Sequence, residues 1–285
     1  MTDSAAPQIS IKSALKNASQ QLQKSNEVDH RLEAEILLCH VLAKDRSWLY
    51  AWSDQKIPQK DYLHYLSLIN RRKNGEPISH ITGYREFWNL SLKITPDTLI
   101  PRHETELVVE TILSLLTDKP LKLLELGTGS GAISAAIASE RPQWQITATD
   151  KSISALAVAE YNFKNLNLPI KTIHSDWFED LRQNRFDVIV SNPPYIADND
   201  PHLQLGDLRF EPESALKSGN NGLKDIEIII LQSPDFLNSN GLLILEHGYD
   251  QGESIRKLMS QHQFHDPKTL QDLAGCDRVT FATAH

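Results

Sequence analysis

Apolar positions along the first quarter of the chain recur at helical spacing. The run RLEAEILLCHVLA at 31–43 sets Leu32, Ile36, Cys39 and Ala43 on one stripe and Ala34, Leu38 and Leu42 on a second. A helix that is apolar on more than one side belongs at the centre of a bundle. A second amphipathic run begins near Pro58, a residue suited to a first helical turn, and places Tyr62, Leu66 and Ile69 on one face. It closes on Arg71, Arg72 and Lys73, where positive charge meets the negative end of the helix, and Asn74 and Gly75 stop it. Residues 9–73 therefore read as helical and 1–74 as a first, helical domain.

The period then changes. EPISHITGYREFWNLSLKITPDTLIPR has no helical repeat, is rich in β-branched and aromatic residues, and alternates at Leu90, Leu92 and Ile94. This predicts a short β-hairpin linker over 75–100. Beyond it, helical runs such as ETELVVETILSLL, AISAAIASE and ALAVAEYNFKNL alternate with the short apolar runs LKLLEL, WQITATD, IKTIHSD, FDVIVSN and GLLILEHG, and DRVTFATA ends the chain as a last strand. Apolar strands separated by helices predict an α/β domain over 101–285, a parallel sheet with helices on both faces and right-handed crossovers.

Composition narrows the class. The 285 residues suffice for one large domain or two modest ones, and 40% hydrophobic with 23% charged residues is ordinary for a globular chain. The mean hydropathy of -0.37 and the lack of a long apolar run exclude a membrane span by helix. The opening MTDSAAPQISIK has no basic flank and apolar core, so no secretory signal is expected and the cytoplasm is the expected location. Cys39 and Cys276 are the only cysteines, which leaves no disulfide framework and no CxxC site. His262 and His265 lack partner ligands at metal-binding spacing and read as solvated surface, so no metal is expected. A net charge of -8 counts against a duplex nucleic acid as partner.

The candidate chemistry begins where LKLLEL runs into Glu125, Leu126, Gly127, Thr128, Gly129, Ser130 and Gly131 and then into the helical AISAAIASE. Glycines at a strand-to-helix turn let the backbone bend and let a ligand approach the helix N-terminus, and Asp150 at the end of the next strand is placed to accept hydrogen bonds from ribose hydroxyls. This spacing points to a nucleoside cofactor. Gly127, Gly129 and Ala132 also satisfy the looser dinucleotide pattern G-x-G-x-x-G/A. The full E-x-G-x-G-x-G string resembles the first motif of class I methyltransferases, which favours S-adenosyl-L-methionine. Trp177, behind Asp176 in SDWF, is placed to hold an adenine ring.

The fourth strand ends in Asn192, Pro193, Pro194 and Tyr195, at the sheet edge where such folds bind ligands. A planar NH2 group is a poor nucleophile because its lone pair is delocalised, so it must be fixed and aimed. The Asn192 side-chain oxygen and the Pro193 carbonyl can accept its two N–H bonds, Pro194 stiffens the turn, and Tyr195 covers the planar group. The Asn192 NH2 then turns to a neighbouring acceptor such as the carboxylate of the cofactor. No catalytic base is evident, and none is needed before transfer, because an N-methylated amide loses its proton afterwards.

Together with these motifs, the segments GEPISHITGYREFW (75–88), LIPRHETE (99–106), EPESAL (211–216), LEHGYDQ (245–251) and AGCDRV (274–279) resemble the HemK/PrmC family of peptide chain release factor glutamine methyltransferases over nearly the whole chain. His103 stands where the family has proline and Asn221 where it has aspartate. The resemblance implies a Rossmann-like methyltransferase domain behind a helical domain that recognises substrate, and methylation of the glutamine in the GGQ tip of bacterial class 1 release factors; a monomer is expected, although the sequence does not give the oligomeric state. It places cofactor residues at Gly127, Thr128, Gly129, Ser130, Gly131, Asp150, Trp177 and Asn192. The reacting residues fall at Asn192, Pro193 and Tyr195, and the substrate-holding residues at Asn192, Pro193, Pro194 and Tyr195. Arg102 and Glu104 read equally as closing the pocket or as ion-paired helix flanks. Two rival readings are a DNA or rRNA amino-group methyltransferase, which shares NPPY, and a non-catalytic module that binds cofactor.

Overall fold

The computed structural model describes residues 9–23, 29–181 and 184–285. Its contacts divide the chain into two units, one ending at Gly83 and the other starting at Tyr84. The opening 1–8, expected to hold no signal, and 24–28, inside the run read as helical, lie outside the described residues.

The first unit holds α1 (Ile11–Leu22), α2 (His30–Leu42), α3 (Arg46–Ala51), α4 (Gln59–Lys73) and α5 (Ile78–Thr82). Capping starts three of them: the Ser10 hydroxyl accepts from the Ser13 N–H, the Asp29 carboxylate from the N–H groups of Arg31 and Leu32, and Asp45 from that of Trp48. In α2 the residues Ala34, Leu37 and Leu38 are wholly buried, as expected of a central helix. Two acids are buried with them. Glu35 is held by Arg31, Arg46 and Tyr50, and Glu33 by Arg72 at 2.7 Å, pairing that makes buried carboxylates tolerable. The inner face of α4 differs from the expected one: Tyr65, Leu68 and Ile69 are buried, whereas Tyr62 and Leu66 are half-buried. The cause is polar, since the Tyr65 hydroxyl donates to the Ala34 carbonyl at 3.0 Å and thereby turns that ring to the centre.

The region 75–100, read as a linker, is split between the units. Pro77 opens α5, Gly83 closes it in the left-handed conformation at φ +79°, and Ile81 joins the helical core. The hairpin is confined to β1 (Tyr84–Phe87) and β2 (Leu90–Lys93) and belongs to the second unit, because Phe87, Leu92 and Ile94 are buried in that unit's core.

The second unit carries α6 (Glu106–Leu115), β3 (Lys122–Leu126), α7 (Ala132–Glu140), β4 (Gln145–Asp150), α8 (Ile153–Asn165), β5 (Lys171–His174), β6 (Phe186–Ser191), α9 (Lys224–Phe236), β7 (Leu237–Glu246), α10 (Gly252–Gln261), β8 (Phe264–Gln271) and β9 (Asp277–Ala284). The sheet order is β5-β4-β3-β6-β7-β9-β8. Strands β3 to β7 pair in parallel, but β9 runs antiparallel to both β7 and β8, so the sheet is mixed at one end rather than wholly parallel. The strand β8 lies in the FHDPKTLQ segment, where polar residues dominate because this is the sheet edge. His265 thus sits on a strand, its ring edge-on to that of His285. The chain starts at β3, builds outward through β4 and β5, then returns to place β6 on the other side of β3. That reversal opens a crevice at the carboxyl ends of β3 and β6.

Candidate active site

Three strand ends are tied together beneath the crevice. The Thr149 hydroxyl on β4 donates to the Glu125 carbonyl at 3.0 Å, the Thr128 N–H to the Thr149 carbonyl at 2.8 Å, and the Ser191 hydroxyl on β6 to the Leu126 carbonyl at 2.8 Å. Above them lies a cavity of about 480 Å3 within the second unit. Gly127, Thr128, Gly129, Ser130, Asp150, Trp177, Asn192 and Pro194 all line it. Gly131, Pro193 and Tyr195 do not, and each has a different task.

Gly129 has φ +55° and nothing within 4 Å of where a Cβ would stand, so its bare face opens on the cavity. Gly131, the N-cap of α7, has φ +85°, and a Cβ there would lie 2.5 Å from the Phe163 ring. Its glycine character serves packing of α7 on α8 rather than contact with a ligand. Gly131→Ala is expected to cost about 2–4 kcal/mol from the left-handed backbone and overpacking together, roughly 5–10 °C in thermal unfolding of the ligand-free protein. An unchanged unfolding midpoint would overturn this account. On α8, Asn162 donates to the Ser130 carbonyl at 2.8 Å and to that of Lys93, and accepts from the Lys93 N–H. One buried amide thus couples the glycine turn to the hairpin.

Both acids predicted from the sequence lie here. Asp150 accepts from the Gly129 and Ser152 N–H groups, each at 2.8 Å, which leaves each oxygen a second lone pair; burial still raises its pKa. Glu125 is fully enclosed, accepting from the Thr128 hydroxyl at 2.7 Å and from the Ser134 N–H and hydroxyl, and burial pushes its carboxyl up to about 7. A folded-state value above the ordinary 4.5 means that the stability it contributes is full at low pH and lost as pH rises through about 7. The unfolding midpoint of the wild type relative to Glu125→Gln should therefore fall between about pH 5 and about pH 8. A difference independent of pH would refute this.

The NPPY turn is braced from below. The Asn192 Nδ2 donates to the Thr105 hydroxyl at 3.3 Å, which occupies one of its two N–H bonds. Among the described residues no group donates to the Asn192 Oδ1 or to the Pro193 carbonyl, which leaves the two acceptors that aiming an amide requires. The Tyr195 carbonyl accepts from the Gln251 Nε2 at 3.0 Å, while the Gln251 Oε1 accepts from the Gly248 N–H at 2.9 Å. A Cβ at Gly222 would lie 2.3 Å from that same Tyr195 carbonyl, so Gly222 lets the next loop close over the turn. Asn221, in place of aspartate, caps this turn through its Oδ1 on the Leu223 N–H. The Tyr195 hydroxyl stands 3.5 Å from Glu246, whose carboxyl burial pushes up to about 7.

A second loop walls the cavity. Glu211 accepts from the Ile100 N–H at 2.9 Å and from Arg102 at 2.5 Å, holding the EPESAL segment against LIPR, and Leu99, Pro101, Pro212 and Ser214 line the cavity beside this pair. Arg102 is thus ion-paired with Glu211 behind the wall of the cavity, whereas Glu104 is exposed and His103 stands 3.8 Å from Glu106 on the surface. Thr105, Glu246, Gln251 and Gly222 were given no role by sequence reasoning. All but Gly222 fall inside the motif segments quoted above, but their task is to hold other residues and is visible only in three dimensions.

The residues present fit a nucleoside methyl donor. Two glycines at positive φ open the turn, Asp150 offers acceptors at the end of β4, and the flat ring of Trp177 lies 3.6 Å from where a Gly127 Cβ would stand.

Comparison with known proteins agrees with this geometry. Residues 13–83 match the PrmC N-terminal domain and residues 103–219 the methyltransferase small domain. A solved T. thermophilus 16S rRNA N2 G1207 methyltransferase, in complex with AdoMet and guanosine, shares the fold at TM-score 0.53 and 17% identity, over 71% of this chain and 50% of that one. The release factor glutamine methyltransferase of Vibrio cholerae serotype O1 is 48% identical over 275 residues, 95% of this chain and 96% of that protein. That of Escherichia coli K12 is 46% identical over 269 residues, 93% and 96% of the two chains. With this identity along nearly the whole length of both proteins, the chain belongs to the release factor glutamine methyltransferase family.

Proposed function

We propose that this protein transfers a methyl group to the side-chain amide nitrogen of the glutamine in the GGQ motif of bacterial class 1 release factors, acting in the cytoplasm as a monomer. The observation that carries the proposal is the meeting of two motifs on one cavity: the glycine turn and the NPPY turn open onto the same space, with the Asn192 Oδ1 unclaimed. When bound, S-adenosyl-L-methionine supplies the electrophilic methyl group. Asn192 Oδ1 and the Pro193 carbonyl accept the two N–H bonds of the target amide, which holds its nitrogen lone pair toward the cofactor. The protons they hold need not leave before transfer, since the methylated nitrogen is a far stronger acid than the amide it came from. Pro194 at the cavity wall and the half-buried Tyr195 keep the turn rigid, so orientation is set before the substrate arrives. Among the described residues no helix is long and apolar enough to cross a membrane.

The direct test is mass spectrometry of the GGQ peptide after incubation of purified release factor with enzyme and cofactor. A mass gain of one methyl on that glutamine is expected. Labelled DNA and rRNA run in parallel test the rival substrate class, and methyl incorporation into either, with none into release factor, would reverse the assignment.

The helical unit is assigned to substrate recognition. It carries no cofactor residue, and Tyr50 and Trp52 near the end of α3 are 53% and 56% exposed, aromatic surface of the kind that anchors protein contacts. The fragment Tyr84–His285 keeps both hydrophobic clusters of the second unit. It should bind S-adenosyl-L-methionine like the full chain yet lose at least roughly tenfold in kcat/KM on intact release factor. Equal kcat/KM would remove the helical unit from recognition.

A further inference from the structure

The turn that aims the target amide has few bonds with which to hold itself. Pro193 and Pro194 carry no N–H, so they can donate nothing to their surroundings. Among the described residues, the Gln251 side chain is the only group that hydrogen-bonds the backbone of 193–195. Gln251 caps the start of α10 and is 9% exposed. Its Nε2 donates to the Tyr195 carbonyl at 3.0 Å and to the Gly222 carbonyl at 3.4 Å, while its Oε1 accepts from the Gly248 N–H at 2.9 Å. One amide thus clasps three segments: the NPPY turn, the loop around Gly222 and the stretch that follows β7.

The two edges of this amide are not interchangeable. Two carbonyls meet its NH2 and one N–H meets its oxygen, so a flipped side chain would set oxygen against oxygen. A Cβ at Gly222 would lie 2.9 Å from the Gln251 Nε2, so glycine there lets the amide reach both carbonyls. The Tyr195 carbonyl stands two peptide units beyond that of Pro193, and the proline rings fix φ at 193 and 194. A shift at Tyr195 is therefore passed back along the turn rather than absorbed within it. We propose that Gln251 is a positioning residue for methyl transfer, clamping the Tyr195 carbonyl and so setting where the Pro193 carbonyl meets the target amide. It acts through the backbone of the turn and is not part of the cavity lining, and its role rests on the function proposed above.

The test compares Gln251→Met, Gln251→Glu and Gly222→Ala in the full chain, measuring kcat on release factor at saturating cofactor and cofactor Kd by calorimetry. Gln251→Met loses all three bonds and should lower kcat about tenfold or more with cofactor Kd changed less than about twofold, because a loosened turn misaims the amide without disturbing the glycine turn. Gln251→Glu keeps the shape and an acceptor for the Gly248 N–H, but it donates to the Tyr195 carbonyl only when protonated. Its kcat relative to wild type should rise several-fold as pH falls from about 9 to about 6, whereas the same ratio for Gln251→Met should stay flat. Asp250, Asp277, Arg256 and Arg278, the charged groups around this end of the sheet, are common to all variants and cancel from the ratio. Gly222→Ala pushes on the same carbonyl from the other side and should also lower kcat while cofactor Kd is kept. Wild-type kcat in Gln251→Met, or a Gln251→Glu ratio that does not change with pH, would overturn the proposal. Should Gln251→Met fail to fold, the pH profile of Gln251→Glu decides alone. If the wild type leaves release factor unmodified, the proposed function fails and this role with it, an outcome separate from wild-type methylation that is indifferent to Gln251.

Discussion

Replacing Asn192 by alanine should lower kcat on release factor at saturating cofactor by about 100-fold or more, roughly 2.7 kcal/mol of transition-state stabilisation. The variant loses the Oδ1 acceptor and leaves the target amide one contact, the Pro193 carbonyl, about which it can rotate. Asn192→Asp keeps an acceptor but removes the donor to Thr105, so it should fall nearly as far as alanine. The measurement is single-turnover methylation read by mass spectrometry of the GGQ peptide. Near-wild-type turnover in Asn192→Ala would falsify the aiming role of the NPPY turn.

Gly129→Val should abolish S-adenosyl-L-methionine binding. At φ +55° a β-branched residue is strained, and its Cβ would project into the open space that the ligand needs, since no protein atom lies within 4 Å. The strain can be separated from the steric block. Gly129→Ala bears nearly the same backbone penalty with less bulk, so it should bind cofactor more weakly than wild type and more tightly than valine, while both variants unfold at similar temperatures. Calorimetry that finds wild-type affinity in Gly129→Val would remove the glycine turn from the cofactor site. The contrast with Gly131→Ala is informative, because that clash is with Phe163 and should appear in stability instead.

Much of the site was legible in the sequence because its chemistry sits in local strings. A strand that ends in E-x-G-x-G-x-G and runs into an apolar helix needs no distant partner to announce a ligand turn, and NPPY at the end of a later strand places two acceptors within one turn. The alternation of apolar runs and helices likewise showed an α/β unit behind a helical one, since periodicity reflects only which side of each element is buried. Its resolution was limited where two elements share a long-range polar contact. The Tyr65 hydroxyl bonds the Ala34 carbonyl and that ring is buried where the expected face had Tyr62 and Leu66, and nothing in the period of α4 records an acceptor on another helix.

Tertiary structure alone decided three further matters, each for the same physical reason. The hairpin belongs to the second unit because Asn162 bonds Lys93 and Ser130 together, joining positions far apart along the chain. The third glycine of the turn serves helix packing, which depends on where the Phe163 ring falls once α8 docks. The sheet turns antiparallel at β9 because β8 and β9 form a hairpin at its end, a direction that an apolar run cannot encode. Sequence by itself named Gly127, Gly129, Asp150 and Asn192, which the folded chain brings to one cavity, because residue type and local spacing specify donors, acceptors and backbone freedom. The acceptor that meets the Asn192 NH2 is the Thr105 hydroxyl, brought from a distant part of the chain, and only the folded chain sets that contact.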